Sequence, residues 1–217
     1  MRHCLNCHTE LLDGEDTLCL ECQGKLSLMD CHTEPNPFWD KFYGKIHFEH
    51  AAALGHYEPE TLFFRLVHNS KYGSKPWINA YLTRLLLTHL EGSDWPYDID
   101  LLIPIPLHWY RHMRRGYNQV SPIVETLSEQ WHLPIENRCI KREGNTASMV
   151  WNGLFGRRDR DESNFKIVHP ERLTGRHILL VDDVCTTGST IEKCSDLLLQ
   201  IPGVRISVLC LGASIHI

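Results

Sequence analysis

The chain has 217 residues, of which 42% are hydrophobic and 23% are charged, as in ordinary globular proteins. Its formal net charge of −5 argues against a globally basic nucleic-acid binder but is compatible with a local basic patch. No apolar run approaches the roughly 18 residues that span a bilayer. The N-terminus "MRHCLNCHTE" lacks the apolar core of a secretory signal. We therefore expect a cytoplasmic protein without a membrane span.

Four of the nine cysteines form the pattern C-x2-C-x11-C-x2-C near the N-terminus. Each C-x2-C pair can direct two thiolates at one tetrahedral ion. The pattern predicts a structural zinc site at Cys4, Cys7, Cys19 and Cys22. The segment between the pairs is too short for a core of its own, so metal binding would supply its folding free energy. A redox C-x-x-C motif or unrelated thiols are the alternatives.

The residues after this pattern indicate a linker. Cys31 and His32 are either additional metal ligands or a buried thiol and an exposed imidazole. The segment 31–42, "CHTEPNPFWDKF", has two prolines and no periodicity, which is typical of a linker. We place a boundary near residue 40, between a zinc knuckle with its linker (1–40) and a larger domain (41–217). Three other cysteines fit as small core residues: Cys139, Cys194 and Cys210.

Apolar periodicity in the larger domain alternates between strand and helix. Strands are predicted at 48–57, 100–106, 165–168, 177–183 and 204–212. Helices are predicted at 59–73, 75–92, 118–131 and 189–201, with Pro59 near the start of the first helix and Pro122 in the first turn of the third. This succession predicts a parallel sheet with right-handed crossovers and helices on both faces. Ligands bind such sheets at the carboxyl ends of the strands.

The sequence "VDDVCTTGST", residues 181–190, occupies one of those strand ends. Neighbouring strand residues point to opposite faces, so Asp182 and Asp183 can serve one ligand only if the strand ends there. The loop that follows carries hydroxyls and one glycine and enters a helix near Ser189. Backbone N–H groups and the helix dipole at such a start favour phosphate. Two acids beside a phosphate cradle suit the diol and the phosphate of a ribose 5-phosphate.

The stretch "ILLVDDVCTTGST", residues 178–190, resembles the signature of type I phosphoribosyltransferases, which bind phosphoribosyl pyrophosphate (PRPP). The cysteine pattern, "IPIPLHWYRHMRRGYNQ" at 103–119 and this signature, in that order, together resemble the ComF-type (GntX-like) competence proteins. The resemblance spans most of the chain. It implies an α/β fold, a type I phosphoribosyltransferase-like parallel sheet with helices on both faces, preceded by a small zinc knuckle.

The resemblance also implies a PRPP site. Asp182 and Asp183, the implied catalytic acids, would hold the ribose hydroxyls, and the loop would hold the 5′-phosphate. The loop after the second predicted strand would face the pyrophosphate. The implied PRPP contacts are Asp182, Asp183, Val184, Cys185, Thr186, Thr187, Gly188, Ser189, Thr190, Pro106, Leu107 and His108. Mg²⁺ would accompany PRPP, bound mostly through ligand oxygens and water.

A basic cluster lies between these elements. It consists of Arg111, Arg114 and Arg115, with the aromatic residues Trp109, Tyr110 and Tyr117 on either side. Guanidinium groups fit pyrophosphate or nucleic-acid phosphates, and aromatic faces stack bases. A solvated helix start explains the same residues. Both interpretations stay open.

The polar stretch 141–165 resembles the flexible loop that closes over PRPP in this fold, where such loops exclude water. Arg142 and Thr146 match the family pattern, whereas Met149 stands where the family has glutamine.

The resemblance favours a PRPP-binding protein that acts in natural competence, in the uptake or use of exogenous DNA. Phosphoribosyltransferase chemistry on an acceptor that no segment identifies is the implied reaction. The alternatives are a PRPP-sensing regulator without turnover and a purely nucleic-acid-binding interaction protein. The expected partners are PRPP, single-stranded DNA and the DNA-uptake machinery.

Overall fold

The structure is a computed structural model that describes residues 2–30, 36–72, 75–93, 95–106, 118–143 and 164–215. Its strands are β1 (Ala51–His56), β2 (Leu101–Pro104), β3 (Ile140–Glu143), β4 (Asn164–Ile167), β5 (His177–Cys185) and β6 (Arg205–Ala213). Its helices are α1 (Leu20–Gln23), α2 (Pro37–Asp40), α3 (Leu62–Tyr72), α4 (Trp77–His89), α5 (Trp95–Asp98), α6 (Ser121–Trp131) and α7 (Ser189–Leu198). No helix among these residues is long and apolar enough to cross a membrane.

Four strands form a central sheet in the order β1-β6-β5-β2, and every neighbouring pair is parallel. Val181 of β5 pairs with Leu209 of β6 on one side and with Pro104 of β2 on the other. β5 and β6 are rich in aliphatic residues that are buried on both faces. Such runs are characteristic of the centre of a parallel sheet.

Helices cover both faces of this sheet. On one face α3, α4 and α6 contribute side chains such as Leu82 and Ile123, both fully buried. On the other face α7 contributes Ile191 and Leu198. The predicted α/β fold, with a parallel sheet between two helical layers, is therefore confirmed.

One predicted strand does not belong to this sheet. β4, predicted among the parallel strands, pairs antiparallel with β3 in a separate two-stranded sheet, with Arg142 opposite Phe165. Ile140 and Phe165 of this pair are buried in the core beside α7. Packing on α7 rather than pairing with a central strand therefore fixes the place of β4.

The start of α3 also differs from the prediction. The helix begins at Leu62 and not near Pro59. Thr61 caps it, because the Phe64 N–H donates to Thr61 Oγ1 at 3.1 Å, and Glu60 has a φ of 72° that no helix accommodates. Pro122 lies in the first turn of α6, as predicted.

Non-strand segments pair with both edges of the central sheet. At the β1 edge, the Met29 N–H donates to the Leu54 carbonyl and the His56 N–H to the Ser27 carbonyl, each at 2.8 Å. At the β2 edge, the Leu102 N–H donates to the Pro134 carbonyl at 2.9 Å. At both edges of the sheet, these segments therefore pair with backbone groups that would otherwise be open to another strand.

Part of the predicted linker is core instead. α2 lies within it, and Asn36 caps this helix by accepting from the Phe38 N–H at 3.0 Å. Phe38 and Phe42 are each only 1% exposed. Because these aromatic side chains are buried, the linker interpretation is wrong for residues 36–42. The boundary near residue 40 stays a prediction.

Candidate functional site

Four cysteines converge near the N-terminus. The sulfur atoms of Cys4, Cys7, Cys19 and Cys22 all lie within 4.8 Å of one another. Tetrahedral ligands at a Zn–S distance of about 2.3 Å would hold their sulfurs about 3.8 Å apart, and Cys7 Sγ lies 3.6 Å from Cys19 Sγ. The sequence pattern therefore produces a cluster that could hold a metal ion such as zinc.

Hydrogen bonds to sulfur favour the thiolate of Cys4, whereas burial and the neighbouring sulfur atoms raise the pKa values of Cys19 and Cys22 despite hydrogen bonds that lower them. Burial raises the pKa of Cys4, but hydrogen bonds from the backbone amides of Cys7, Cys19 and Asn6 outweigh it and lower that pKa to about 6. The Asn6 side-chain amide donates to Cys22 Sγ at 3.2 Å. Since metals bind the thiolate form of cysteine, these donors fit a metal site.

A second candidate site lies at the carboxyl end of β5. The chain leaves this strand through residues 186–188 and enters α7 at Ser189. Gly188, immediately before α7, has a φ of 88°, which favours glycine. A Cβ at this position would lie 2.9 Å from Phe42 Cε1. Phe42 therefore packs against the loop, and a side chain at position 188 would have to displace its ring.

The loop presents hydroxyls to solvent beside the start of α7. Thr186, Thr187 and Ser189 are exposed, and Thr187 Oγ1 accepts weakly from the Ser189 N–H at 3.4 Å. A pocket of about 30 Å³ is lined by Asp182, Val184, Cys185, Thr186, Thr187, Gly188, Ser189, Thr190 and Ile191. The first N–H groups of a ten-residue helix have no intrahelical acceptor, and together with the adjacent hydroxyls they could bind an anion.

The two acids of the motif face different surroundings. β5 continues to Cys185, so the expectation that the strand ends at the acids is wrong. Asp182 lines the pocket. Asp183 is only 8% exposed, and its Oδ2 lies 2.9 Å from the Nζ of Lys71 in α3. The carboxylates therefore serve opposite sides of the sheet in this structure.

The position of Asp182 strongly raises the pKa of its carboxyl group. Burial first, and then the negative charge of Asp183, raise the pKa of Asp182 to about 8. The Asp183 N–H donates to Asp182 Oδ1 at 2.8 Å and opposes this rise in part. Near neutral pH Asp182 can therefore donate as well as accept a hydrogen bond, which suits a ligand hydroxyl.

Curated relatives place the chain in a family. It is 29% identical over 227 residues to competence protein F of Haemophilus influenzae, with 94% of each chain covered. It is 30% identical over 208 residues to the DNA utilization protein YhgH of Escherichia coli O157:H7, with 91% of this chain and 84% of the relative covered. The chain belongs to the ComF-type family of competence and DNA utilization proteins.

A more distant relative of this ComF-type chain is competence protein ComFC of Bacillus subtilis, 27% identical over 59% of this chain and 49% of the relative. No family model matches the chain. A crystal structure of adenine phosphoribosyltransferase has a TM-score of 0.40 and 16% identity over 63% of this chain and 71% of its own. A purine phosphoribosyltransferase of Pyrococcus horikoshii has a TM-score of 0.39 and 18% identity, covering 61% and 74%. Scores this low carry no conclusion about ligand or activity.

The structure brings together only part of the predicted site of the ComF-type chain. Asp182 and residues 184–190 surround one pocket, which Asp183 does not line, and Pro106 follows β2, the strand beside β5. Other predicted residues lie outside the described ones: Cys31, His32, Leu107, His108, Arg111, Arg114, Arg115 and Thr146.

Arg142 lies in strand β3 and not in a loop. It pairs across the ladder with Phe165, and its guanidinium carbon lies 5.3 Å from the centroid of the Phe165 ring. The predicted flexible loop is therefore wrong at both its ends, because residues 141–143 and 164–165 belong to strands.

Two contacts at the ComF-type site were missed by sequence reasoning. Lys71 neutralises Asp183, and Phe42 supports Gly188. Lys71 lies in the last turn of an amphipathic helix, where a cation is expected because it interacts favourably with the helix dipole. Phe42 lies in the predicted linker. No local pattern connects either residue to a site so distant in sequence.

Proposed function

We propose that this ComF-type protein binds PRPP with Mg²⁺ at the carboxyl end of β5 and acts in the uptake or use of exogenous DNA. The observation that carries the PRPP proposal is the pocket at the start of α7, where exposed hydroxyls and the first N–H groups of the helix lie beside Asp182. A phosphate fits the helix start. The hydroxyl groups of the ribose would then lie beside Asp182, which can hydrogen-bond with them.

Each part of PRPP has proposed contacts. The backbone and hydroxyls of residues 186–190 would bind the 5′-phosphate. Asp182 would bind one ribose hydroxyl directly. Asp183 faces Lys71 on the other side of the sheet, so it would bind the second hydroxyl by a turn of the end of β5 that releases Lys71 and brings both carboxylates to one side. Pro106 stands at the end of the neighbouring strand, so the residues after it, Leu107 and His108, would face the pyrophosphate.

Mg²⁺ would bind mainly to the oxygens of PRPP and to water, as this ion prefers, and would neutralise the leaving pyrophosphate. The protein's contribution is to fix the ribose with two carboxylates and the phosphate with the helix start. With these fixed, an acceptor nucleophile forms a bond to the anomeric carbon while the carbon–pyrophosphate bond breaks. Fixing the reactants in this way is itself a source of rate enhancement.

The DNA role is supported by the relatives' names, competence protein and DNA utilization protein. We infer that single-stranded DNA and the DNA-uptake machinery are partners of this chain. The predicted contact through Arg111, Arg114 and Arg115 remains a proposal. The cysteine cluster would hold one structural Zn²⁺.

Calorimetric titration of PRPP with Mg²⁺ into the purified protein tests the ligand proposal. One saturable site is expected, and Asp182→Asn together with Asp183→Asn should abolish it while circular dichroism remains unchanged. A matched control is Asp98→Asn, an acid at the opposite end of the sheet. Undiminished PRPP affinity in the double variant would refute the ribose contacts.

A pyrophosphate assay on the same sample separates the two forms of the proposal. Pyrophosphate release in the presence of an acceptor identifies a phosphoribosyltransferase. Saturable binding without release, with single-stranded DNA supplied as a candidate acceptor, favours the sensing regulator instead.

A further inference from the structure

An open groove separates the cysteine-bearing segment from helix α4. It has a volume of about 530 Å³ and is lined by Arg2, His3, Leu5, Asp16, Thr17, Trp77, Ala80 and Arg84. Arg84 Nη2 lies 3.0 Å from Asp16 Oδ2 and joins the two walls. The groove is separate from the pocket at β5, and neither the sequence motifs nor the proposed PRPP contacts use it.

Helix α4 presents an aromatic and a cationic side chain to this groove. Trp77, Ala80 and Arg84 follow one another at helical spacing and share one face. The opposite face is buried through Ile78, Leu82 and other apolar residues. Trp77 remains 47% exposed, which is unusual for so large an apolar ring. Ala80 is small and leaves the space between Trp77 and Arg84 open.

The charges of the groove favour an anion. Arg2 and Arg84 are both exposed, and Lys75 is exposed just before the start of α4. Asp16 is the only carboxylate among the lining residues, and Arg84 already pairs with it. Within the described part of the chain, no carboxylate oxygen lies within ion-pair distance of Arg2. A locally positive groove is thus present on a chain of net charge −5.

We propose that this groove binds single-stranded nucleic acid, with a base stacked on Trp77 and backbone phosphates on Arg2 and Arg84. Exposed aromatic faces beside arginines are the combination that binds single strands, because every unpaired base offers a face for stacking. A duplex hides those faces. An acidic polypeptide would use the arginines but not the open indole. The inference rests on the DNA part of the proposed function and adds a location to it.

Fluorescence anisotropy of a labelled oligothymidylate with the full chain tests the groove. Trp77→Ala should lower the affinity by about fivefold or more, since base–aromatic stacking is worth about 1–3 kcal/mol. Arg84→Gln should lower it too, and should reduce the slope of log affinity against log salt by about 1. Asp16→Asn should raise the affinity, because it removes the only lining carboxylate and releases Arg84.

The last two variants form a matched pair. Both break the Arg84–Asp16 contact, so a purely structural role for that contact would shift both affinities in the same direction. Opposite shifts are expected if phosphate binds here. Tyr97→Ala is the control for a general loss of surface aromatics, because Tyr97 is 87% exposed and lines a different pocket. Thermal unfolding of each variant verifies that it is folded.

Three results would contradict the proposal that this groove binds single-stranded nucleic acid. These are an unchanged affinity in Trp77→Ala, equal losses in Arg84→Gln and Asp16→Asn, and competition by polyglutamate as effective as by unlabelled oligonucleotide. If the wild-type protein binds the oligonucleotide and all three variants bind it with the same affinity, the groove is not the binding site, and the proposed DNA role survives. If the wild-type protein does not bind at all, both fail, while the PRPP proposal stands on its own titration.

Discussion

Asp182 and Asp183 are neighbours in the chain but differ in what surrounds them. Asp182 lines the pocket beside the helix start, whereas Asp183 is paired with Lys71. The Lys71 ammonium also lies 5.5 Å from the centroid of the Tyr57 ring. Both side chains of the pair are less than one-sixth exposed, so each charge depends on the other for compensation.

Removing Lys71 should therefore expose this dependence. We expect Lys71→Met to lower the free energy of unfolding by about 3 kcal/mol, because it leaves the carboxylate of Asp183 buried and unpaired. Urea unfolding at pH 7 measures the loss. The double variant Lys71→Met, Asp183→Asn should recover most of it. A double variant no more stable than the single one would contradict the compensating role of Lys71.

The raised pKa of Asp182 predicts a pH dependence of stability. A carboxyl whose pKa rises from 3.8 to about 8 on folding binds a proton in the native state that the unfolded state has already released. Its stabilising contribution is complete below pH 3.8 and is lost as pH rises toward about 8. Urea unfolding across this range should show a smaller decline in Asp182→Asn than in the wild type. Parallel profiles would contradict the assignment.

At the scale of elements, the junction of β5 and α7 depends on Gly188. Gly188→Ala places a side chain at a positive φ, which is strained for alanine, and brings its Cβ too close to the Phe42 ring. Gly92→Ala is the matched control, because Gly92 has a φ of 82° but, apart from its chain neighbours, no atom of the described residues lies within 4 Å of the point that a Cβ would occupy. We expect Gly188→Ala to destabilise the protein more than Gly92→Ala, whose cost should be about 1–2 kcal/mol. Equal losses in chemical unfolding would show that Phe42 yields freely.

The cysteine-bearing segment should depend on its metal. We expect mass spectrometry to find about one zinc ion per chain, and chelation to remove hydrogen-exchange protection from residues 4–22. Protection should also fall in α4, because Leu18 and Cys22 share a buried cluster with Leu82. Cys7→Ser should mimic chelation without opening a cavity, since Cys7 is exposed. A protected segment without metal would refute the zinc site.

Element types were predictable where the apolar pattern was long. β5, β6, α4 and α6 follow from periodicity, and α6 tolerates Pro122 in its first turn. Two kinds of feature were not predictable. The antiparallel pairing of β3 with β4 depends on packing against α7, and the burial of Phe38 and Phe42 depends on tertiary contacts of a segment with no periodicity. Local pattern carries no information on either.

For the molecule as a whole, the position of the candidate site was predictable from the sequence, and the orientation of its acids was not. The motif at 181–190 indicated an anion site at a strand end, and a pocket lined by Asp182 and residues 184–190 lies there; that this pocket binds an anion stays a prediction. The opposite orientation of the two acids follows from the continuation of β5 to Cys185, which the short motif does not indicate. Partners such as Lys71 come from other layers of the fold and required the structure.

The strand order has a consequence for synthesis on the ribosome. β1 and β2 lie at opposite edges, and the strands between them, β6 and β5, come last along the chain. Among the described strands, neither β1 nor β2 has a neighbour in the central sheet until residues beyond 177 have left the exit tunnel. Until then, both aliphatic strands lack a strand partner. The segments at 27–29 and 134–136 pair with those same strands, so they can cover part of the exposed strand edges during that interval.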